Sequence, residues 1–171
     1  MAGTTTNFSW PYPTGPDVAN VNSDMQSLAS AIDTTLGSAW TLYTPTWTAA
    51  SVNPVIGTGT IRGRFKLFGK WGITQGLLTM GGTTTFGTGV YSFTLPAGWS
   101  FENSVAILQD RGSGFCFDAS TTTTYVGYVQ YQTATTFGIR THAGTAAVGP
   151  TVPVTFATTD LIGWTILTEL Q

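Results

Sequence analysis

Few side chains in this chain of 171 residues have the chemistry for proton transfer or nucleophilic attack. They are His142, Cys116 and eight carboxylates scattered along the sequence. A hairpin turning at residues 111–114 would bring Asp110 near Asp118, and two nearby carboxylates can cleave a glycosidic bond. Arg111 nevertheless offers Asp110 an ordinary ion pair, and Gly-Ser-Gly is an ordinary turn. The sequence therefore predicts no catalytic residue and no enzyme.

Metal and nucleotide sites are also not indicated. A zinc site needs several His, Cys or Asp ligands at short spacing, whereas His142 and Cys116 lie far apart in the sequence. Gly57 and Gly59 precede an expected strand, whereas a phosphate-binding loop must open a helix. Cys116 alternates with aromatic neighbours, which favours a small buried thiol. We expect no metal, no cofactor and no cofactor-binding residue.

Charge and hydropathy exclude several classes of partner. Only 8% of the residues are charged and the net charge is −2, so no strong positive field is available to attract nucleic acid. No run of about 18 apolar residues suggests a membrane span, and the first residues lack the charged and apolar regions of a signal peptide. We expect neither nucleic-acid binding nor membrane insertion.

Residues 40–171 have the pattern of a β domain. Thr, Gly and aromatic residues dominate, and short alternating segments are separated by turn residues at regular intervals. This spacing predicts an antiparallel β-sandwich, similar to a jelly roll, in which most aromatic rings fill the core. The predicted strands cover residues 40–43, 46–48, 61–67, 71–80, 90–95, 104–109, 115–118, 125–131, 137–140, 152–156 and 162–170.

The clearest hairpin of this domain carries most of the positive charge. Alternation over residues 61–67 places Phe65 and Leu67 on one face and three cations, Arg62, Arg64 and Lys66, on the other. Four of the six basic residues lie in or beside this hairpin. The simplest interpretation is an exposed strand face kept soluble by its cations, as edge strands commonly are.

The sequence favours one helix, over residues 17–37. Pro16 suits a first turn and Gly37 provides a C-terminal capping signal. The apolar residues follow the 3, 4, 3, 4 spacing of a coiled-coil seam. Such a narrow stripe predicts either a bundle with copies of the same helix or packing on the chain's own β domain. The seam residues, predicted to mediate oligomerisation, are Val18, Val21, Met25, Leu28 and Ile32.

Residues 1–16 are predicted to form an extended attachment segment. They are rich in Pro, Gly and Thr, which disfavours a regular helix or strand, yet they include Phe8, Trp10 and Tyr12. Large aromatic residues in an extended segment are typical anchors of interfaces. These three rings either cover an apolar surface of this protein or contact a partner or a neighbouring subunit, and we favour the second.

Several motifs resemble a known family. In order along the chain they are YTPTWT (43–48), NP (53–54), GTGT (57–60), GRF (63–65), GK (69–70), LTMG (78–81), TTTFGTG (83–89), YSFTLP (91–96) and FATTD (156–160). This series is similar to the C-terminal β domain of tail and fibre proteins of actinobacterial phages. The front end, NFSWPYP (7–13), resembles the N-termini of the same virion proteins. Residues 100–150 contain no matching motif.

The resemblance implies a virion structural protein: a homotrimer whose N-terminal segment contacts other virion proteins and whose β domains face outward, with no catalytic residues. A short chain favours a head fibre or capsid decoration protein over a tail fibre or minor tail protein. A contact with a host cell-surface glycan is a further expectation. Outside this class, six Trp residues keep a free-standing carbohydrate-binding module as the alternative.

Overall fold

A computed structural model describes residues 3–6, 9–12, 21–102, 110–142 and 147–171, with only the backbone of Val21 and Asp110 included. One helix, α1, spans Val21–Gly37. Two short strands, β1 (Gly3–Thr4) and β2 (Pro11–Tyr12), precede it. The remaining strands are β3 (Thr41–Tyr43), β4 (Trp47–Ala49), β5 (Thr60–Phe68), β6 (Trp71–Thr79), β7 (Tyr91–Thr94), β8 (Asp110–Asp118), β9 (Thr123–Thr133), β10 (Thr136–Thr141) and β11 (Leu161–Glu169).

Nine of these strands form one antiparallel sheet, in the order β3-β5-β6-β11-β8-β9-β10-β7-β4. Its two edge strands, β3 and β4, are consecutive in the chain and are separated only by residues 44–46. Flat, nine strands would span about 38 Å, whereas four residue steps reach at most about 14 Å. The sheet must therefore curl until its edges approach each other. The prediction of a mainly β, antiparallel fold with one N-terminal helix is confirmed.

The concave face of the curled sheet encloses an aromatic core. The ring of Trp164 from β11 lies 4.8 Å from that of Phe93 and 5.4 Å from that of Phe137. Trp47 packs edge to face on Tyr91, with ring centroids 5.0 Å apart. Burying these aromatic side chains removes a large apolar area from water, which stabilises the fold. Of the six Trp residues, Trp47, Trp99 and Trp164 are buried in this core.

Two glycines on the concave face make room for these rings. A Cβ on Gly76 would lie 2.1 Å from the Trp164 ring, and one on Gly63 would lie 2.3 Å from the Tyr43 ring. The Tyr43 hydroxyl accepts a hydrogen bond from Thr74 Oγ1 at 3.0 Å, which fixes that ring under β5. Glycine is therefore required wherever a ring lies flat against the neighbouring backbone.

The predicted hairpin is confirmed as β5 and β6, turning at Gly69 and Lys70 with a positive φ of 60° at Gly69. Its three cations lie on the outer face, and Phe65 on the other face packs against the core, as the alternation predicted. β5 is not an edge strand, because β3 pairs with its outer side over Thr41–Tyr43. The protection of an exposed edge therefore does not explain these cations.

Two other strand predictions were wrong. Residues 111–114 are not a hairpin loop but lie inside β8, where they pair with β11 and β9. Residues 152–156 form only an isolated bridge between Gly149 and Val152, because Pro150 and Pro153 have no N–H to donate to a ladder. The predicted strand at 104–109 lies outside the described residues.

The N-terminal region differs from the expected extended segment. β1 and β2 pair as a small antiparallel hairpin, with Gly3 opposite Tyr12 and Thr4 opposite Pro11. Hydrogen bonds from Thr5 N to Trp10 O and from Ser9 N to Thr5 O close it locally. Pro11 is compatible with this strand because a two-stranded sheet has only edges. The start of the predicted helix, residues 17–20, lies outside the described residues.

Substituting Gly76 tests the close packing of the core. We expect Gly76→Ala to lower the free energy of unfolding by about 1–3 kcal/mol, because the new methyl group overlaps the rigid Trp164 ring. Gly82→Ala is the matched control, since a Cβ there meets nothing within 4 Å. Denaturant unfolding measures both, and equal stability of the two variants would contradict this packing.

Candidate functional site

The structure separates the titratable residues that could do chemistry. Asp110 and Asp118 are the two ends of β8, so they lie about 27 Å apart along one strand instead of facing each other across a hairpin. His142 is exposed, 6.2 Å from the ring of Tyr128. Cys116 is fully buried, and this burial raises its pKa to about 12, so its thiol is unreactive near neutral pH. The predicted buried thiol is confirmed.

Two buried carboxylates organise turns instead of a reaction. Asp118 accepts hydrogen bonds from the backbone and hydroxyl groups of Ser120 and Thr121 at 2.7–3.3 Å. Asp160 accepts from the backbone N–H groups of Ala119 and Ala157 at 2.9 and 2.8 Å. These bonds join the β8–β9 turn to the start of β11. Both carboxylates thus stabilise one end of the sheet.

Within the described ranges, no group of three or more His, Cys, Asp or Glu side chains could hold a metal ion. α1, the one helix of the described residues, is not long and apolar enough to cross a membrane.

α1 leaves exposed two of its three described seam side chains, Met25 and Leu28. The helix packs against β2 and meets the nine-stranded sheet at its C-terminal end, where Lys66 Nζ donates a hydrogen bond to the Leu36 carbonyl. Met25 is 66% exposed and Leu28 is 37% exposed, while Ile32 is half-buried. Val18 and the side chain of Val21 lie outside the described residues. The helix therefore does not lay its apolar stripe on its own β domain.

Leu36 extends this exposed stripe and was missed by the sequence analysis. It is 51% exposed and follows Ile32 by four residues, hence by about one helical turn. Because Gly37 was predicted to end the helix, Leu36 could have been assigned to its last turn. The heptad pattern, however, ended at Ile32. Among the described side chains, the uncovered apolar surface of α1 therefore consists of Met25, Leu28 and Leu36.

The predicted attachment residues differ in their surroundings. Trp10 is half-buried, and its indole Nε1 donates a 3.3 Å hydrogen bond to Thr35 Oγ1 of α1. Tyr12 is 48% exposed and lies over Gly3, where a Cβ would be 2.6 Å from the phenol ring. Phe8 lies outside the described residues. Trp10 thus covers part of this chain's own helix, and Tyr12 is available to a partner.

A shallow groove on the convex face of the sheet is the second exposed feature. It encloses about 290 Å³, and its floor is the backbone of Gly63 and Gly76. We call it the basic groove. Its walls are Leu42, Arg62, Arg64, Gln75 and Leu77.

Arg64 is held in place within this groove. Its Nε and one terminal nitrogen donate to Gln75 Oε1 at 3.0 and 2.8 Å. Its guanidinium carbon lies 4.8 Å from the centroid of the Trp40 ring. The stacking and the paired hydrogen bonds orient this cation before any partner binds. Arg62 is exposed beside it.

No protein-family model, curated protein or solved structure matches the chain. The resemblance to virion proteins remains an interpretation of the sequence motifs. The uncovered surface of α1 and the basic groove are the two features of the described residues that are open to a partner.

The hydrogen bonds to Asp118 predict a pH-dependent stability. The Ser120 and Thr121 hydroxyls lower the pKa of Asp118 below its usual value, so this carboxylate stabilises the fold above pH about 4 and stops doing so as the pH falls through its folded-state pKa. We expect Asp118→Asn to unfold more easily than the wild type near neutral pH, and the difference to shrink in acid. Denaturant midpoints between pH 7 and pH 2 measure it. A difference that stays constant over this range would contradict the assignment.

Proposed function

We propose that this chain is a structural protein of a phage particle, a short homotrimeric fibre or decoration protein displayed on the head or tail. In this proposal its β domain is a jelly-roll-like sandwich and does no catalysis. The observation that carries the proposal is the uncovered apolar surface of α1, together with the virion-like order of the sequence motifs. Titratable groups in the described residues are dispersed or engaged in turns, which favours a structural role.

The helix needs a partner on energetic grounds. α1 has 17 residues, many of them Ser, Asn, Asp and Thr, and helices of about this length are marginal in water without tertiary packing. Burying a Met or Leu side chain fully contributes about 1.5–3 kcal/mol. Copies of α1 packed along the seam would bury Met25 and Leu28 against each other. Self-association therefore stabilises both the helix and the assembly.

Trimerisation would also explain how weak individual contacts can act at a surface. Three β domains joined by one bundle of α1 helices would contact a repetitive surface together. Linked weak contacts gain overall affinity through their high effective concentration. The N-terminal hairpin lies at the opposite end of the chain from these domains in sequence. Its exposed Tyr12 is the described residue best suited to contact another virion protein.

A carbohydrate-binding module is the second candidate, and one aromatic pair favours it. Trp71 is 52% exposed and pairs with Phe68 across the β5–β6 turn. Exposed aromatic rings can stack on sugar rings. If glycan binding were the main function, a monomer would bind an immobilised glycan and Trp71→Ala would abolish the binding.

Particle placement is tested on intact virions of the phage that encodes the chain. Antibodies against the β domain, viewed by electron microscopy, should label the head or the tail at regular positions. Particles carrying no label, with the protein present in the infected cell, would contradict the proposed function.

A seam variant tests the assembly. We expect Met25→Asp to convert a trimer into monomers of 18.1 kDa, because it places a carboxylate in the apolar seam while the side chain is already exposed in the single chain. Ser30→Asp adds the same charge on the opposite side of the helix and should leave the trimer intact. Light scattering gives the native masses. Dissociation by both variants, or by neither, would contradict the seam.

A further inference from the structure

Charge is segregated along the chain in a way that neither the seam nor the fold requires. Residues 1–33 contain three Asp and no Lys or Arg, whereas residues 34–101 contain four cations and no Asp or Glu. Two adjacent parts of one chain are therefore oppositely charged. In an assembly of identical copies, such parts attract each other between subunits as well as within them.

The cations of the second part form a row beside the end of α1. Arg62, Arg64 and Lys66 alternate along β5 and point outward. Lys66 reaches the last turn of α1 in the same chain through its bond to the Leu36 carbonyl. The basic groove thus begins where the proposed helical bundle ends.

The spacing of the cations matches the separation of two packed helices. Side chains two residues apart on a strand are separated by about 7 Å, so Arg64 and Arg62 lie about 7 and 13 Å from Lys66. Packed helices are about 8–10 Å apart. Because Lys66 contacts its own helix end, a neighbouring helix displaced along β5 by one helix separation would end between Arg64 and Arg62.

The last turn of α1 has the side chains that this groove would accept. Asp33 and Leu36 are three residues apart, so they share one side of the helix, and both are exposed. The groove offers guanidinium groups and two apolar walls, Leu42 at 80% exposure and Leu77 at 40%. Charge and apolar character are therefore complementary.

We infer that the basic groove is an intersubunit docking site for the last helical turn of a neighbouring copy. Asp33 of that copy pairs with Arg62 and Arg64, and its Leu36 packs between Leu42 and Leu77. The inference rests on the proposed trimer and adds a second contact to it. This contact gives the cations of β5 a role, and it would hold each β domain against the helix of its neighbour.

A charge exchange in the full chain tests the docking site. Arg62→Glu and Asp33→Lys should each raise the concentration at which the trimer half-dissociates by about tenfold or more, because a cyclic trimer contains the pair three times. The two substitutions combined should return it to within about threefold of the wild type. Lys70→Glu is the control, since it makes the same charge change in the turn outside the groove and should have little effect. Sedimentation over a dilution series measures all four.

An apolar pair of variants keeps the test independent of charge. Leu42→Asn should weaken the trimer without lowering the melting temperature of the monomer, because Leu42 is exposed in the single chain. Val126→Asn, on the convex face of β9 and 59% exposed, is its control.

The outcomes separate this inference from the proposed function. A trimer that is equally stable in every groove variant would overturn the docking site and leave the seam. A full chain that is monomeric at all concentrations would contradict both. The third outcome is a wild-type trimer that is retained on immobilised polygalacturonate and an Arg62→Glu trimer that is equally stable but no longer retained. It would make the groove a site for acidic polysaccharide and would also overturn the inference.

Discussion

Residues 44–46 hold the two edges of the sheet within about 14 Å of each other, and the rest of the structure depends on that short connection. Thr46 secures it on one side, since its N–H donates to Thr94 Oγ1 and its carbonyl accepts from the Thr94 N–H. Tyr43 secures the other side through its ring on Gly63 and its hydroxyl on Thr74. Curling encloses the concave face, and the aromatic side chains then fill it. The glycines that lie under these rings follow from the same constraint.

The same closure determines what happens to the helix. Because the concave face is already filled by its own side chains, the sheet has no free apolar surface there on which α1 could pack. The chain enters the sheet at β3, an edge strand, so the helix leaves from the rim and contacts the sheet at its last turn. Met25, Leu28 and Leu36 are consequently exposed in the single chain. The geometry of the sheet thus leaves α1 available for assembly, and in the proposed trimer burial of the seam would supply the free energy of association.

Local patterns of the sequence were sufficient for the β5–β6 hairpin, for the facing of its cations and for the burial of Cys116, since each depends on alternation or on a two-residue turn. The order of the strands was not predictable, because β3 and β4 are neighbours in sequence but lie at opposite edges. The possible pairing of Asp110 with Asp118 was wrong for a related reason. Pairing with β11 extends β8 through the Gly-Ser-Gly run, so no hairpin forms there. The cations of the basic groove could be recognised in the sequence as a cluster. The contributions of Trp40, Gln75 and Leu42 come from tertiary contacts that no local pattern records.

The central claim is that copies of this chain meet in parallel along α1, and disulfide trapping tests it most directly. In a parallel bundle, equivalent seam residues face one another, so Leu28→Cys should form covalent dimers on mild oxidation. The native thiol will not interfere, because Cys116 is buried. Ser30→Cys, on the outer side of the helix, should remain uncrosslinked. Efficient dimers from Leu28→Cys alone are the predicted result; no dimers, or equal amounts from both variants, would contradict the account.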